Sequence, residues 1–164
     1  MTDNIILRQE TQADFLEVFE VNHLAFGQEN EAKLVDALRH NETAFVPELS
    51  IVAVKDNTVV GHILFTKINI KGNKGNLNES LALAPMSVRP EHQKNGIGGQ
   101  LIRKGLEVAK ILGYKSIIVL GHEHYYPKFG FEPAEKWKIN APFEVPSNVF
   151  MAMELVAGGL KNVS

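Results

Sequence analysis

Cysteine is absent from this 164-residue sequence. Its absence excludes disulfide bonds, thiolate metal sites and a cysteine nucleophile, and it leaves the redox compartment open. A basic excess is absent too: 17 lysines and arginines stand against 19 aspartates and glutamates, for a formal charge of -2. Nucleic acid is therefore not an expected partner, because binding to its phosphates needs an excess of positive charge.

Long apolar runs are also missing. No stretch approaches the roughly 20 apolar residues of a membrane span, and the first residues lack a basic region followed by an apolar one. We therefore expect no membrane partner and a cytoplasmic location. Hydrophobic residues make up 45% and charged residues 22%, as in soluble globular proteins. We predict one domain over residues 1–164.

Hydrophobic periodicity predicts strands and helices in mixed order. The predicted strands are 5–7, 51–54, 59–65, 81–88, 116–120 and 149–156. Four helices are predicted. The first begins after Thr11 and Asp14, the second runs from about 29 to 40, the third runs from Gly96 to Leu112, and a short fourth lies at 125–129. Asp56 and Asn57 predict a hairpin turn between the second and third strands, because both tolerate a left-handed backbone.

Pro85 lies inside the predicted fourth strand. Proline cannot donate a hydrogen bond to a neighbouring strand, so it is tolerated mainly at edges and bulges. We expect this strand to be distorted or to lack a partner near Pro85.

A glycine-rich turn joins the fourth strand to the longest predicted helix. Gly96, Gly98 and Gly99 fall at the start of that helix, where free N–H groups and the helix dipole favour an anion. Glycine there costs roughly 1 kcal/mol each in helix propensity, which a closely approaching ligand would explain. A Walker loop is disfavoured because Gly98-Gly99-Gln100 lacks its lysine and hydroxyl, and a Rossmann loop because position 101 is leucine.

Two segments carry a family resemblance. Val88-Arg89-Pro90 is followed by Gln93-Lys94-Asn95-Gly96-Ile97-Gly98, and Tyr125-Tyr126-Pro127-Lys128-Phe129-Gly130-Phe131 follows the fifth strand. With this order of elements, the sequence resembles the GNAT superfamily of acyl-CoA-dependent N-acetyltransferases, and within it the YhbS-like branch of predicted acetyltransferases. The resemblance implies an α+β fold in α/β/α layers. Its mixed, mostly antiparallel sheet would splay between strands 4 and 5, with helices on both faces.

The resemblance also implies acetyl-CoA as the acyl donor and an amine as the acceptor. The backbone of Met86 and Val88 would pair with the pantetheine amides, and the N–H groups from Gln93 to Gly99 would hold the pyrophosphate. Tyr126 falls where the family often has a general acid, with Tyr125 as a competing candidate. The implied donor-binding residues are Met86, Ser87, Val88, Gln93, Lys94, Asn95, Gly96, Ile97, Gly98, Gly99 and Tyr126.

An acceptor ammonium must lose a proton before it can attack a thioester, so a base is needed. Glu79 is one candidate, and His122, Glu123 and His124 are the others. His122 and His124 alternate, as metal ligands can, but no third ligand stands at a recognisable spacing. We predict no metal.

The leading hypothesis is direct acetyl transfer to a primary amine of a small molecule or peptide in a ternary complex. The alternatives are a CoA-binding regulatory module without turnover, and an acyltransferase that uses another acyl-CoA or a hydroxyl acceptor. The nearly neutral chain does not identify the acceptor. Segment 143–146 is a candidate border of the acceptor site, and monomer and homodimer both stay open.

Overall fold

The computed structural model describes residues 4–161 and 163. The strands are β1 Ile6–Gln9, β2 Phe45–Lys55, β3 Thr58–Lys71, β4 Leu77–Val88, β5 Ser116–Leu120, β6 Glu132–Pro133 and β7 Phe150–Glu154. The α-helices are α1 Phe15–Phe26, α2 Asn30–Arg39 and α3 Ile97–Ile111, and short 3-10 helices include Pro90–His92, Tyr126–Phe129 and Ala134–Trp137. Each predicted strand and helix is present. The two-residue β6 was not predicted, and β2, β3 and β4 are longer than predicted.

The strands form one open sheet in the order β1-β2-β3-β4-β5-β7-β6. β1 with β2, β2 with β3, β5 with β7 and β6 with β7 are antiparallel, whereas β4 and β5 are parallel. The mixed, mostly antiparallel sheet is thus confirmed. β4 pairs with β5 through Leu81–Ile117 and Ala82–Ile118, so this register stops before Pro85, as the proline predicts.

The chain forms two compact units. The first comprises Met1–Thr66 and Ala84–Val108, and the second comprises Lys67–Leu83 and Ala109–Ser164. Each unit has its own hydrophobic cluster. The prediction of a single domain over residues 1–164 stays a prediction.

In the first unit, helices pack on both faces of the strands. Leu64 and Phe65 are consecutive in β3 and so point to opposite faces. Leu64 packs in a buried cluster with residues of α1, α2 and β2, namely Val18, Val21, Val35, Val52 and Val54. Phe65 lies against α3 at Gly105, where an added Cβ would fall 2.1 Å from the Phe65 Cε1. The predicted helices on both faces are therefore confirmed.

A buried histidine lies in the same unit. His62 is fully buried, with its Nε2 2.9 Å from Ser50 Oγ and its Nδ1 3.4 Å from Asn22 Nδ2. Because the Asn22 amide donates to Nδ1, the neutral ring carries its proton on Nε2 and donates it to Ser50. Burial, and secondly the charge of Arg39, lower the pKa of His62 to about 3. His62 is therefore uncharged at neutral pH.

The second unit has a core of β3, β5 and β7 residues covered by the C-terminal segment. Its buried members are Ile70, Ile118, Ala134, Ile139, Ala152, Leu160 and Val163. Glu154 fixes that segment, because its Oε2 accepts the Leu160 N–H at 2.9 Å. Within the described part of the chain, no helix combines the length and apolar character needed to cross a bilayer.

Candidate functional site

The glycine loop, residues 93–99, ends at a helix start that is open to a ligand. Gly96 has φ +81°, and its carbonyl accepts the first bond of the helix, from the Gln100 N–H at 3.1 Å. The N–H groups of residues 97–99 precede that bond and have no acceptor within the helix. A Cβ added at Gly96 would meet no heavy atom within 4 Å. Free donors and open space together fit an anionic group such as a pyrophosphate.

Lys94 also has a left-handed backbone, with φ +68°. For a residue other than glycine this conformation costs on the order of 1 kcal/mol, and such strain concentrates at ligand-binding segments. Lys94 and Asn95 are exposed. The loop is thus held in a specific, slightly strained shape on the surface of the first unit.

Arg89 anchors the chain where β4 leads into the glycine loop. Its backbone N–H donates to the Val60 carbonyl at 2.8 Å and its Nε to the Val59 carbonyl at 2.7 Å. Its Nη1 donates to Glu20 Oε1 at 2.8 Å, and the residue is only 8% exposed. Arg89 is therefore a positioning residue. The sequence identified it only as part of a motif, since its partners lie far away along the chain.

Gln93 is largely engaged within the loop itself. Its side-chain amide donates to the Val88 carbonyl at 3.0 Å, and its backbone N–H donates to the Pro90 carbonyl at 3.3 Å. Of the other predicted donor contacts, Met86 is half-buried and Val88 is buried. Ser87 is buried, and among the described residues its hydroxyl has no hydrogen-bond partner, a state that buried polar groups rarely keep without a ligand or water.

Close packing sets the position of the helix start. A Cβ added at Gly61 of β3 would lie 3.1 Å from Leu101 Cδ1 and 3.2 Å from Ile97 Cγ2. The absence of a side chain at Gly61 therefore lets α3 approach β3 closely. Ile97 is buried in this contact, so its backbone, and not its side chain, can face a ligand.

Tyr126, in the second unit, begins the 3-10 helix after β5 and is 9% exposed. Its ring covers Gly121, where an added Cβ would fall 2.3 Å from the Tyr126 Cε2. It also makes edge contacts with Tyr125 at 5.2 Å and Phe131 at 5.7 Å between ring centroids. Burial, and secondly Tyr125, raise the pKa of Tyr126 to about 12. Its phenol is therefore protonated at neutral pH.

The candidate bases are not all close to Tyr126. Leu81 pairs with Ile117 in parallel register, so Glu79 lies beside residue 115, at the start of β5. Tyr126 follows the opposite end of β5, which is Leu120, five positions further along. At 3.3 Å per residue this is about 17 Å along the sheet. The structure therefore does not bring Glu79 to the β5 end that leads to Tyr126.

Glu123 lies on the Tyr126 side, in the turn after β5. Its Oε2 accepts a hydrogen bond from the Asn148 side-chain amide, and its Oε1 is 3.3 Å from His124 Nε2. The carboxylate is thus hydrogen-bonded on the Asn148 side, and His124, next to it in the sequence, is exposed. His122 is exposed in the same turn. Across residues 4–161 and 163, no group of three histidine, aspartate or glutamate side chains could hold a metal ion.

Comparison with known proteins supplies the family. The model of the Acetyltransferase (GNAT) family matches residues 9–131. The chain is 42% identical over 136 residues to YjhQ of Escherichia coli K12, which is named an uncharacterized N-acetyltransferase. These aligned residues make up 82% of this chain and 74% of YjhQ.

Solved structures agree with this match. The Escherichia coli GNAT protein YhbS in complex with CoA superposes with a TM-score of 0.90 at 25% identity, over 100% of this chain and 88% of that one. A GNAT acetyltransferase of Brucella melitensis in complex with acetyl-CoA superposes with a TM-score of 0.75 at 32% identity, over 93% of this chain and 89% of that one.

Proposed function

Because this chain belongs to the acetyltransferase (GNAT) family, we propose that it is an N-acetyltransferase that moves the acetyl group of acetyl-CoA to a primary amine. The acceptor is a small molecule or a peptide, and attack is direct, in a ternary complex. The observation that carries the proposal is the open helix start at Gly96, with N–H groups available to a phosphate. The relatives solved with CoA and acetyl-CoA support the choice of donor.

The chain's own groups divide the work of donor binding. Of the N–H groups from Gln93 to Gly99, that of Gln93 already donates to the Pro90 carbonyl, so those of Lys94 to Gly99 hold the pyrophosphate. The backbone of Met86 and Val88 pairs with the pantetheine amides. Arg89 and the Gln93 side chain keep the loop in place through their bonds to β3 and β4 carbonyls. Acetyl-CoA supplies an acyl group on a good thiolate leaving group, so no covalent enzyme intermediate is needed.

The transfer requires balanced proton movement. The acceptor ammonium first gives one proton to a base, the neutral nitrogen then bonds to the thioester carbonyl carbon, and the carbon–sulfur bond breaks. The nitrogen loses its second proton as the amide forms while the sulfur gains one, so one proton is released overall. Tyr126 donates the proton to sulfur, since its phenol stays protonated up to a pKa of about 12. A free thiol has a pKa near 8.5, so the phenol is the weaker acid and its donation of a proton to sulfur must be coupled to reprotonation of the phenol. The proton lost by the acceptor replaces it.

Turnover tests the proposal. Purified protein is mixed with acetyl-CoA and a set of primary amines, thiol release is followed with a chromogenic disulfide, and products are identified by mass spectrometry. Amine-dependent thiol release, with one acetyl group added to the amine, is the expected result. Acetyl-CoA binding without amine-dependent release from any acceptor would favour the regulatory CoA-binding module. The cytoplasmic location and the choice between monomer and homodimer stay predictions.

A further inference from the structure

A cavity of about 620 Å³ opens in the second unit beside the turn after β5. Its lining includes Leu120, Val145 and Val149, which are apolar, together with His122, Glu123 and Tyr125. Its volume lies within the range of small-molecule sites, roughly 300–1,000 Å³. The cavity is therefore large enough for a small organic acceptor.

The cavity adjoins the proposed proton donor. Gly121, in its lining, lies directly under the Tyr126 ring, and Tyr125, also in its lining, makes an edge contact with that ring. The Gly121 N–H donates to the Val149 carbonyl at 2.9 Å, which ties the two walls together. A molecule in the cavity would contact residues that themselves touch the Tyr126 ring.

The walls combine an apolar surface with one fixed carboxylate. Leu120 is 48% exposed, although Ile117, Ile118 and Val119 before it in β5 are buried. Its exposed side chain contributes to the apolar wall. The Glu123 carboxylate accepts a hydrogen bond from the Asn148 side-chain amide, which orients it. An apolar wall beside a fixed anion matches an ammonium carried on an apolar group.

A second cavity of about 500 Å³ shares Val145 but has a different character. Its lining includes two carboxylates, those of Glu135 and Glu144, and the exposed ring of Phe143. Segment 143–146, predicted to border the acceptor site, thus contributes to both cavities. We assign the acceptor to the first cavity because its lining touches Tyr126.

If the chain is an N-acetyltransferase as proposed above, its acceptor can be specified further. We propose that the acceptor is an alkyl or arylalkyl primary amine without a second charge. Its ammonium binds the Glu123 carboxylate, and its apolar group packs on Leu120, Val145 and Val149. Glu123 and Leu120 are then specificity-determining residues for the acceptor.

Three acceptors of equal length test the assignment: hexylamine, 1,6-diaminohexane and 6-aminohexanoate. They differ only in their far end, which is apolar, cationic or anionic. Steady-state kinetics with acetyl-CoA should give hexylamine a kcat/KM about tenfold or more above the other two, because a charged end is poorly solvated on an apolar wall.

Variants test which residues cause the preference for hexylamine. Glu123→Gln should raise the KM for hexylamine about tenfold while the KM for acetyl-CoA is unchanged. Leu120→Asn should raise the KM for hexylamine but not that for 1,6-diaminohexane. Glu135→Gln removes an exposed carboxylate from the other cavity and is the matched control, with no expected change. Thermal melts verify folding, and because the Glu123 change is isosteric, it keeps the test available if the Leu120 variant does not fold.

Acetyl-CoA titration of the same samples distinguishes failure of the acceptor assignment from failure of the proposed function. Preference for 1,6-diaminohexane, or equal hexylamine KM values for the Glu123 and Glu135 variants, would overturn the acceptor assignment and leave the acetyltransferase standing. A protein that binds no acetyl-CoA would overturn the proposed function and, with it, this inference.

Discussion

Acidification from pH 6.5 to 4.5 should destabilise the protein through one side chain, His62. Its ordinary pKa of 6.5 applies in the unfolded chain, whereas burial, and secondly Arg39, lower it to about 3 in the folded one. In this range the unfolded state therefore binds a proton that the folded state does not. The stability contributed by neutral His62 is complete well above pH 6.5 and is lost as the pH falls through 6.5 toward 3.

The size of the effect follows from the pKa difference. Each pH unit below 6.5 costs about 1.36 kcal/mol of unfolding free energy per group. Because the unfolded histidine is already half protonated at pH 6.5, the loss from pH 6.5 to 4.5 is about 2.3 kcal/mol. Because domains are commonly stable by only about 5–15 kcal/mol, this loss is readily measurable.

Urea unfolding followed by far-UV circular dichroism at half-unit steps of pH measures the slope. His62→Gln should be less stable at pH 7, since it loses the bonds to Ser50 and Asn22. Its stability should, however, fall about 2.3 kcal/mol less than that of the wild type between pH 6.5 and 4.5. The series stops at 4.5 because the hydrogen bond from Arg8 lowers the pKa of Asp14 to about 2, and that carboxyl contributes as the pH falls through its ordinary value of 3.8. Equal slopes for wild type and variant would refute the reasoning.

Three further substitutions test the site and its supports. Tyr126→Phe should lower kcat about 10²-fold or more with little change in the KM for acetyl-CoA. Because the pKa of Tyr126 is about 12, the kcat of the wild type should not decline through this group up to pH 10.5. A decline of kcat near pH 9 that is absent in the variant would contradict the assignment of Tyr126 as proton donor. Gly105→Ala should lower the urea midpoint, since overpacking against Phe65 costs about 1–3 kcal/mol against about 1 kcal/mol gained in helix propensity; a more stable variant would be the wrong result. Arg89→Gln should cost about 1–3 kcal/mol of unfolding free energy, because the Val59 carbonyl loses its buried donor, and unchanged stability would argue against the anchor.

The elements next to the glycine loop could be predicted because their signals are local. Asp56 and Asn57 adopt the left-handed backbone that their residue types tolerate, with φ 50° and 61°. Pro85 marks the place before which the β4–β5 register stops. The full length of β2 could not be predicted, because Pro47 interrupts its pattern and lies in the register shift between Phe45 and Ser50.

The supports of the site depend on partners that are remote in the sequence. Arg89 and Glu20 are 69 residues apart, and Asn148 lies 25 residues beyond Glu123. Local periodicity carries no information about such pairs, because tertiary packing alone brings them together. The sequence therefore predicted where the glycine loop and Tyr126 lie along the chain, and their roles stay predictions. It could not predict the groups that hold the loop and Glu123.

Isothermal titration with acetyl-CoA, CoA and dephospho-CoA tests whether the helix start at Gly96 binds the phosphates of the donor. Gly96→Asp places a carboxylate in the open space beside the helix start, and Gly113→Asp, at another left-handed glycine with nothing within 4 Å, controls for backbone strain and added charge. We predict micromolar acetyl-CoA binding by the wild type and the Gly113 variant, and its loss in the Gly96 variant. Absence of binding by the intact protein, or equal binding by both variants, would show that the helix start at Gly96 is not a phosphate site.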